Sequence, residues 1–175
     1  MKNLLVIYPD YKGATYGTGI LFKEGVADRN EANIVLSKEV LTATNHTGNF
    51  KEISGGVIQK GEGGSFPPVP PTKSEQLPWL DHFLADSSLF TTTDSGPVAI
   101  AGENIEEQVK YALAEGVNSL SEILTKTGLN AEDSKNCSQK IRSGGILLWI
   151  KIDDEFAEPA QNLSKKASAD PIFIA

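Results

Sequence analysis

The chain has 175 residues, of which 39% are hydrophobic and 22% charged, and carries a formal net charge of −7. That length can bury a substantial core in one domain, expected to span residues 1–175. The acidic balance argues against a nucleic-acid backbone as the main partner, because phosphate contacts need clustered Lys and Arg and the nearest approach to a cluster is Lys165-Lys166. One cysteine, Cys137, cannot make an internal disulfide, which fits a reducing cytosol.

Taken in chain order, Leu4-Leu5-Val6-Ile7-Tyr8 ends at Pro9-Asp10 and is too short for a signal-peptide core or a membrane span. It reads as a first strand over residues 3–8, in a protein expected to be soluble and cytoplasmic. Gly19-Ile20-Leu21-Phe22 follows a glycine-bearing loop and reads as a second strand, near 19–23. Asp28-Arg29-Asn30-Glu31 has the spacing of a capping box, and Ala32, Val35, Leu36, Val40 and Ala43 keep a helical period behind it. Residues 51–59 read as a strand bent at Gly55-Gly56.

From Gly61 to Pro71, three glycines and four prolines exclude helix and central strand, so a flexible Pro/Gly-rich loop is expected at about 61–75. Beyond it, Leu77-Pro78-Trp79-Leu80-Asp81-His82-Phe83-Leu84 is a compact apolar patch, with a turn or two of helix starting at Pro78. Trp79, Leu80, Phe83 and Leu84 are candidate interface residues, because large aromatic anchors after a mobile segment suit an interface centre. With an open sheet edge at residues 3–8, they favour a homodimer.

Asn104 and Glu107 have reciprocal capping spacing. The apolar positions from Ile105 to Leu124 then predict one long helix running past Gly116 and stopping at Gly128. Asn130 with Asp133 starts another helix, which carries Lys140 and Arg142 in its last turn, as the helix dipole favours. Ile146-Leu147-Leu148-Trp149-Ile150 is continuously apolar and reads as a central strand buried on both faces. Asp153-Asp154, an amphipathic stretch and a last strand at Asp170 to Ile174 complete the chain.

The passage from Leu120 to Ile174 resembles the C-terminal part of the bacterial general stress proteins of the 17M type. The residues that carry the likeness are Gly128-Leu129, Arg142-Ser143-Gly144-Gly145, Ile146 to Ile152, Asp153-Asp154 and Asp170 to Ile174. Ser95 to Gly102 is similar to the family's Gly-Pro-rich lead-in. Ile20-Leu21-Phe22, Asp28 to Ala32 and Glu52-Ile53-Ser54 look like its first strand, first helix and second strand. The chain departs from the family in its middle, where a Gly/Ala-rich hairpin is replaced by a charged helix and the proline-rich loop. The strand at residues 3–8 is a second departure. What the resemblance implies is a compact ferredoxin-like α+β unit linked to stress response, without an established chemistry.

The chemical motifs weigh toward turns and caps. His46 and Ser95 stand only 49 residues apart, about a third of the usual separation in the two-barrel serine proteases, and the chain lacks strands for two barrels. Asp94-Ser95-Gly96 is not the triplet of an aspartic protease, which needs an all-β scaffold, and reads as a turn. His46, His82 and Cys137 give no metal spacing. Gly13, Gly17 and Gly19 do not follow the dinucleotide pattern. No catalytic residue, metal or cofactor is expected. Arg142, Gly144, Gly145 and Asp153 remain as a candidate small-ligand site, against the plainer reading of a helix C-cap and an N-cap.

The fold expected is α+β: a ferredoxin-like antiparallel or mixed sheet from strands near 3–8, 19–23, 51–59, 145–152 and 170–175, with helices mainly on one face. The leading functional expectation is a non-enzymatic stress-associated or regulatory protein acting by protein contact. A small-ligand-binding regulatory domain is the alternative, and a hydrolase comes third. Neither nucleic acid nor membrane is an expected partner.

Overall fold

The structure, a computed structural model, describes residues 1–43 and 79–175. The strand expected at 51–59 and the loop at 61–75 lie outside the described residues. The described elements run β1 (Lys2–Tyr8), α1 (Tyr11–Lys23), β2 (Asn33–Ser37), α2 (Lys38–Ala43), α3 (Trp79–Leu84), β3 (Ser88–Thr92), β4 (Gly96–Ala101), α4 (Glu103–Ala114), α5 (Leu120–Thr125), α6 (Ala131–Arg142), β5 (Ile146–Ile152), α7 (Ala157–Lys166) and β6 (Ile172–Ile174). This is an α+β arrangement around one six-stranded sheet of order β3-β4-β2-β5-β1-β6, antiparallel at every neighbouring pair.

The apolar runs Leu4 to Tyr8 in β1 and Ile146 to Ile150 in β5 are unbroken because both faces of these strands are covered. In β1, Leu4, Val6 and Tyr8 join one core cluster while Leu5 and Ile7 join the other. In β5, Ile146, Leu148 and Ile150 face the first cluster and Leu147 and Trp149 the second, so the expected two-sided burial of this strand holds. Helices α1, α3 and α7 supply Ala14, Leu21, Leu80, Leu84 and Ala160 to the first cluster. Helices α4, α5 and α6 supply Ile105, Val109, Leu120, Ile123, Cys137 and Ile141 to the second. Helices therefore cover both faces, where the sequence suggested mainly one.

Four further expectations are corrected. Residues 19–23 belong to α1, in which Gly17 makes a close packing contact rather than a loop. An ideal Cβ at Gly17 would lie 2.3 Å from the buried Tyr8 ring, so only glycine lets the helix approach β1 there. Asp10 starts this helix by accepting from the Gly13 amide at 2.7 Å.

The second correction concerns Asp28, which caps only a 3₁₀ turn, Arg29–Glu31, before β2. All five residues of β2 are buried, so the apparent helical period there had no exposed face to mark it.

Third, the long helix is two helices. Gly116, at φ +79°, ends α4 in a Schellman motif, with its amide donating to the Leu113 carbonyl and that of Val117 to Ala112. Neither α4 nor α5 depends on its own cap alone. Asn33 of β2 accepts from the Ile105 amide at 2.9 Å, replacing the expected Asn104 cap. Asp94, in the β3–β4 turn, accepts from the Leu120 and Ser121 amides at 2.8 and 2.9 Å.

Fourth, β1 is internal, between β5 and β6, and among the described residues β3 and β6 form the sheet edges.

Candidate functional site

The arginine-glycine junction closes a helix. Asn130 opens α6 by accepting from the Asp133 amide at 2.8 Å, as its spacing predicts. At the other end, the Gly144 amide donates to the Ile141 carbonyl at 3.1 Å and the Gly145 amide to Lys140 at 2.8 Å. Both amides of the candidate anion cradle are thus engaged in a Schellman cap, with Gly144 at φ +107°. Gly145 also lies against the sheet, where a Cβ would come within 2.9 Å of the Ile7 side chain. Arg142 is exposed beside this cap. Asp153 stands past the far end of β5, roughly 23 Å away for seven extended residues. Arg142, Gly144 and Gly145 lie together; Asp153 does not join them.

Asp153 instead lines a cleft of about 490 Å³ at the end of the sheet. Phe22, Val26, Ile152 and Phe156 give it an apolar floor, and Asp28, Arg29, Glu31 and Lys151 bring charges of both signs to its rim. The α1–β2 connection and the β5–α7 junction hold these residues side by side. Sequence reasoning named Asp153 but missed the cleft, because its other wall comes from a segment misread as helix start. Such a lining suits an amphipathic molecule.

The aromatic patch folds onto its own chain. Leu80 and Leu84 are fully buried in the first core cluster, and Trp79 and Phe83 pack against it. The Trp79 ring meets Phe22 edge-on at 4.7 Å and lies 4.6 Å from Phe83. The Tyr11 hydroxyl donates to the Asp81 carboxylate, tying α3 to the start of α1. Burial, and then that carboxylate, pushes the Tyr11 phenol above its ordinary range.

The Asp94-Ser95-Gly96 triplet runs from the turn of the β3–β4 hairpin into the first residue of β4. Ser95 is buried, and its hydroxyl donates to the Ser138 carbonyl at 2.9 Å and pairs with the Ser138 hydroxyl. Asp94 also accepts from the hydroxyls of Ser138 at 2.9 Å and Ser119 at 3.2 Å. Partial burial pushes its carboxyl up, but the amides of Ser121 and Leu120 and the Ser138 hydroxyl outweigh this and hold it below the usual carboxylate range. The hub joins the hairpin, α5 and α6, and keeps the Ser95 hydroxyl buried. His46, the other half of the protease motif, lies outside the described residues.

Among the described residues, no group of His, Cys, Asp and Glu side chains is placed to hold a metal ion. No helix among them is long and apolar enough to cross a membrane. No family model, curated protein sequence or solved structure matches the chain.

Proposed function

We propose that the chain is a cytoplasmic, non-catalytic regulatory module of the general stress protein type, working through contact with protein. The observation that carries this reading is the strand order β2-β5-β1-β6. There β1 and β2 run parallel with β5 between them, joined through α1. Likewise β5 and β6 run parallel with β1 between them, joined through α7. Two interlocked split β-α-β units, with α1 and α7 packed together on one face, make a ferredoxin-like unit. The β3–β4 hairpin and α4 to α6 are then additions between its second and third strands: the hairpin extends the sheet beyond β2, and the helices cover the opposite face. Ser95, buried and engaged by Ser138, supports a structural rather than a hydrolytic role for that turn.

A small-ligand regulatory domain is the second reading, favoured by the two-signed, apolar-floored cleft beside Asp153. Thermal shift against a metabolite panel, run beside light scattering, separates the two. Contact function predicts no ligand-dependent shift; a shift at constant mass that Asp153→Ala abolishes would replace it with the ligand reading. Ester or casein hydrolysis abolished by Ser95→Ala would overturn both.

A further inference from the structure

We propose that β6 is the association edge of this protein, pairing antiparallel with β6 of a second copy about a twofold axis centred on Phe173. The proposal deepens the contact reading, and rests on it, by naming the partner. Asn3 and Ala175 exchange both backbone hydrogen bonds, at 2.8 and 2.9 Å, and the Ile7 amide donates to the Pro171 carbonyl at 3.1 Å. With Leu5 opposite Phe173, the odd-numbered residues of this strand direct their backbone groups inward to β1. The amides and carbonyls of Ile172 and Ile174 must then point outward, at an edge of the sheet with no further strand among the described residues. Proline at 171 does not spoil that edge, because its missing N–H falls on the β1 side, where the Asp170 amide donates to Ile7 instead.

The outward pattern is self-complementary. With Phe173 on the axis, Ile172 of one copy faces Ile174 of the other, and the reverse, so both meet as hydrogen-bonded pairs. Every pairing inside the sheet is already antiparallel, so the twofold simply continues it. None of the three strand residues is charged, each is only half-buried, and the lysines or inward charges that blunt edge strands are missing from β6. No charged side chain of β6 itself therefore stands across the axis. This moves the expected dimer contact away from residues 3–8, which are internal, and from Trp79 and Phe83, which pack on their own core.

Sedimentation from low micromolar to hundreds of micromolar chain, with amide hydrogen exchange at both ends of that range, tests it. The expected result is a mass rising from one chain toward two, with the Ile172 and Ile174 amides gaining protection as it rises. The Phe173 and Ala175 amides should be protected throughout. Ile174→Pro removes one outward donor and no bond to β1, so it should hold the mass at one chain. A monomer at every concentration overturns the proposal, as does a dimer in which Ile172 and Ile174 exchange freely. Protection of both amides in the dilute monomer also overturns it, since the chain would then cover its own edge. A monomer without ligand response leaves the contact reading standing with a different partner, whereas a ligand shift overturns that reading whatever the mass.

Discussion

Cys137 sits on the inner face of α6 with no solvent exposure. Burial first, and then the nearby Asp133 charge, pushes its thiol up to about 12. An unfolded cysteine titrates near about 8.5, so the folded chain holds its proton over a range in which the unfolded chain has lost it. The stabilising contribution is complete below the unfolded value and falls away as pH rises toward the folded one. Native protein should therefore resist alkylation at mildly alkaline pH and react only on unfolding. Cys137→Ala should flatten the alkaline arm of a denaturation-midpoint profile; an unchanged slope would show that other groups set it. Ser168 makes a second residue-scale case. It occupies the left-handed position that ends α7, at φ +61°, where α1, α4 and α6 each place glycine. A non-glycine residue there is strained by about 1–2 kcal/mol, part of which glycine's greater unfolded-state freedom returns. Ser168→Gly should raise stability by roughly 0.5–1 kcal/mol on this balance, read as a higher urea midpoint at constant slope.

At the scale of elements, Gly116 separates two accounts of the same residues. Were it inside a continuous helix, Gly116→Ala would stabilise by up to about 1 kcal/mol through helix propensity. Because it carries φ +79° in the cap of α4, the same change should destabilise by about 1 kcal/mol or more. Equilibrium unfolding decides by sign alone. The error this residue invites shows what the sequence could convey. Among the elements read correctly, β1, α6 and β5 announce themselves locally: Pro9-Asp10 after a solid apolar run, Asn130 with Asp133, and glycines after Arg142. Those misread are determined by distant partners. The glycines of α1 make sense only once Tyr8 lies across Gly17. Helix α4 is capped from Asn33 and α5 from Asp94, so their starts carry no complete local signal. Strands β3 and β4 hid in a stretch read as a lead-in and a turn, since a hairpin's register depends on β2 beside it. The candidate site divides in the same way. The glycine junction was legible as a cap because caps are local, while the cleft around Asp153 joins segments far apart in the chain.

On the scale of the whole molecule, one sheet serves two cores, and the two tryptophans report on them separately. Trp79 packs against the first cluster beside Phe22, and Trp149, 5% exposed, belongs to the second. Trp149 is further fixed by donating its indole N–H to Asn3 at 3.1 Å. Neither core is independent, because β1, β2 and β5 give alternate residues to each, and losing either layer exposes apolar side chains of all three strands. The pairing is also long-range: β1, at the start of the chain, is held by β5 and β6 at its end. Neither half can therefore close the sheet alone, and unfolding should be a single transition of both layers. Trp79→Phe leaves Trp149 as the only indole, and Trp149→Phe leaves Trp79. Each substitution lowers stability by its own amount, so each single-tryptophan protein is compared with its own far-UV signal. In both, the fluorescence midpoint should coincide with loss of secondary structure. Should the Trp79 signal melt ahead of the circular dichroism while Trp149 stays with it, the layer of α1, α3 and α7 would be a separable unit. The shared sheet would then not couple the two cores.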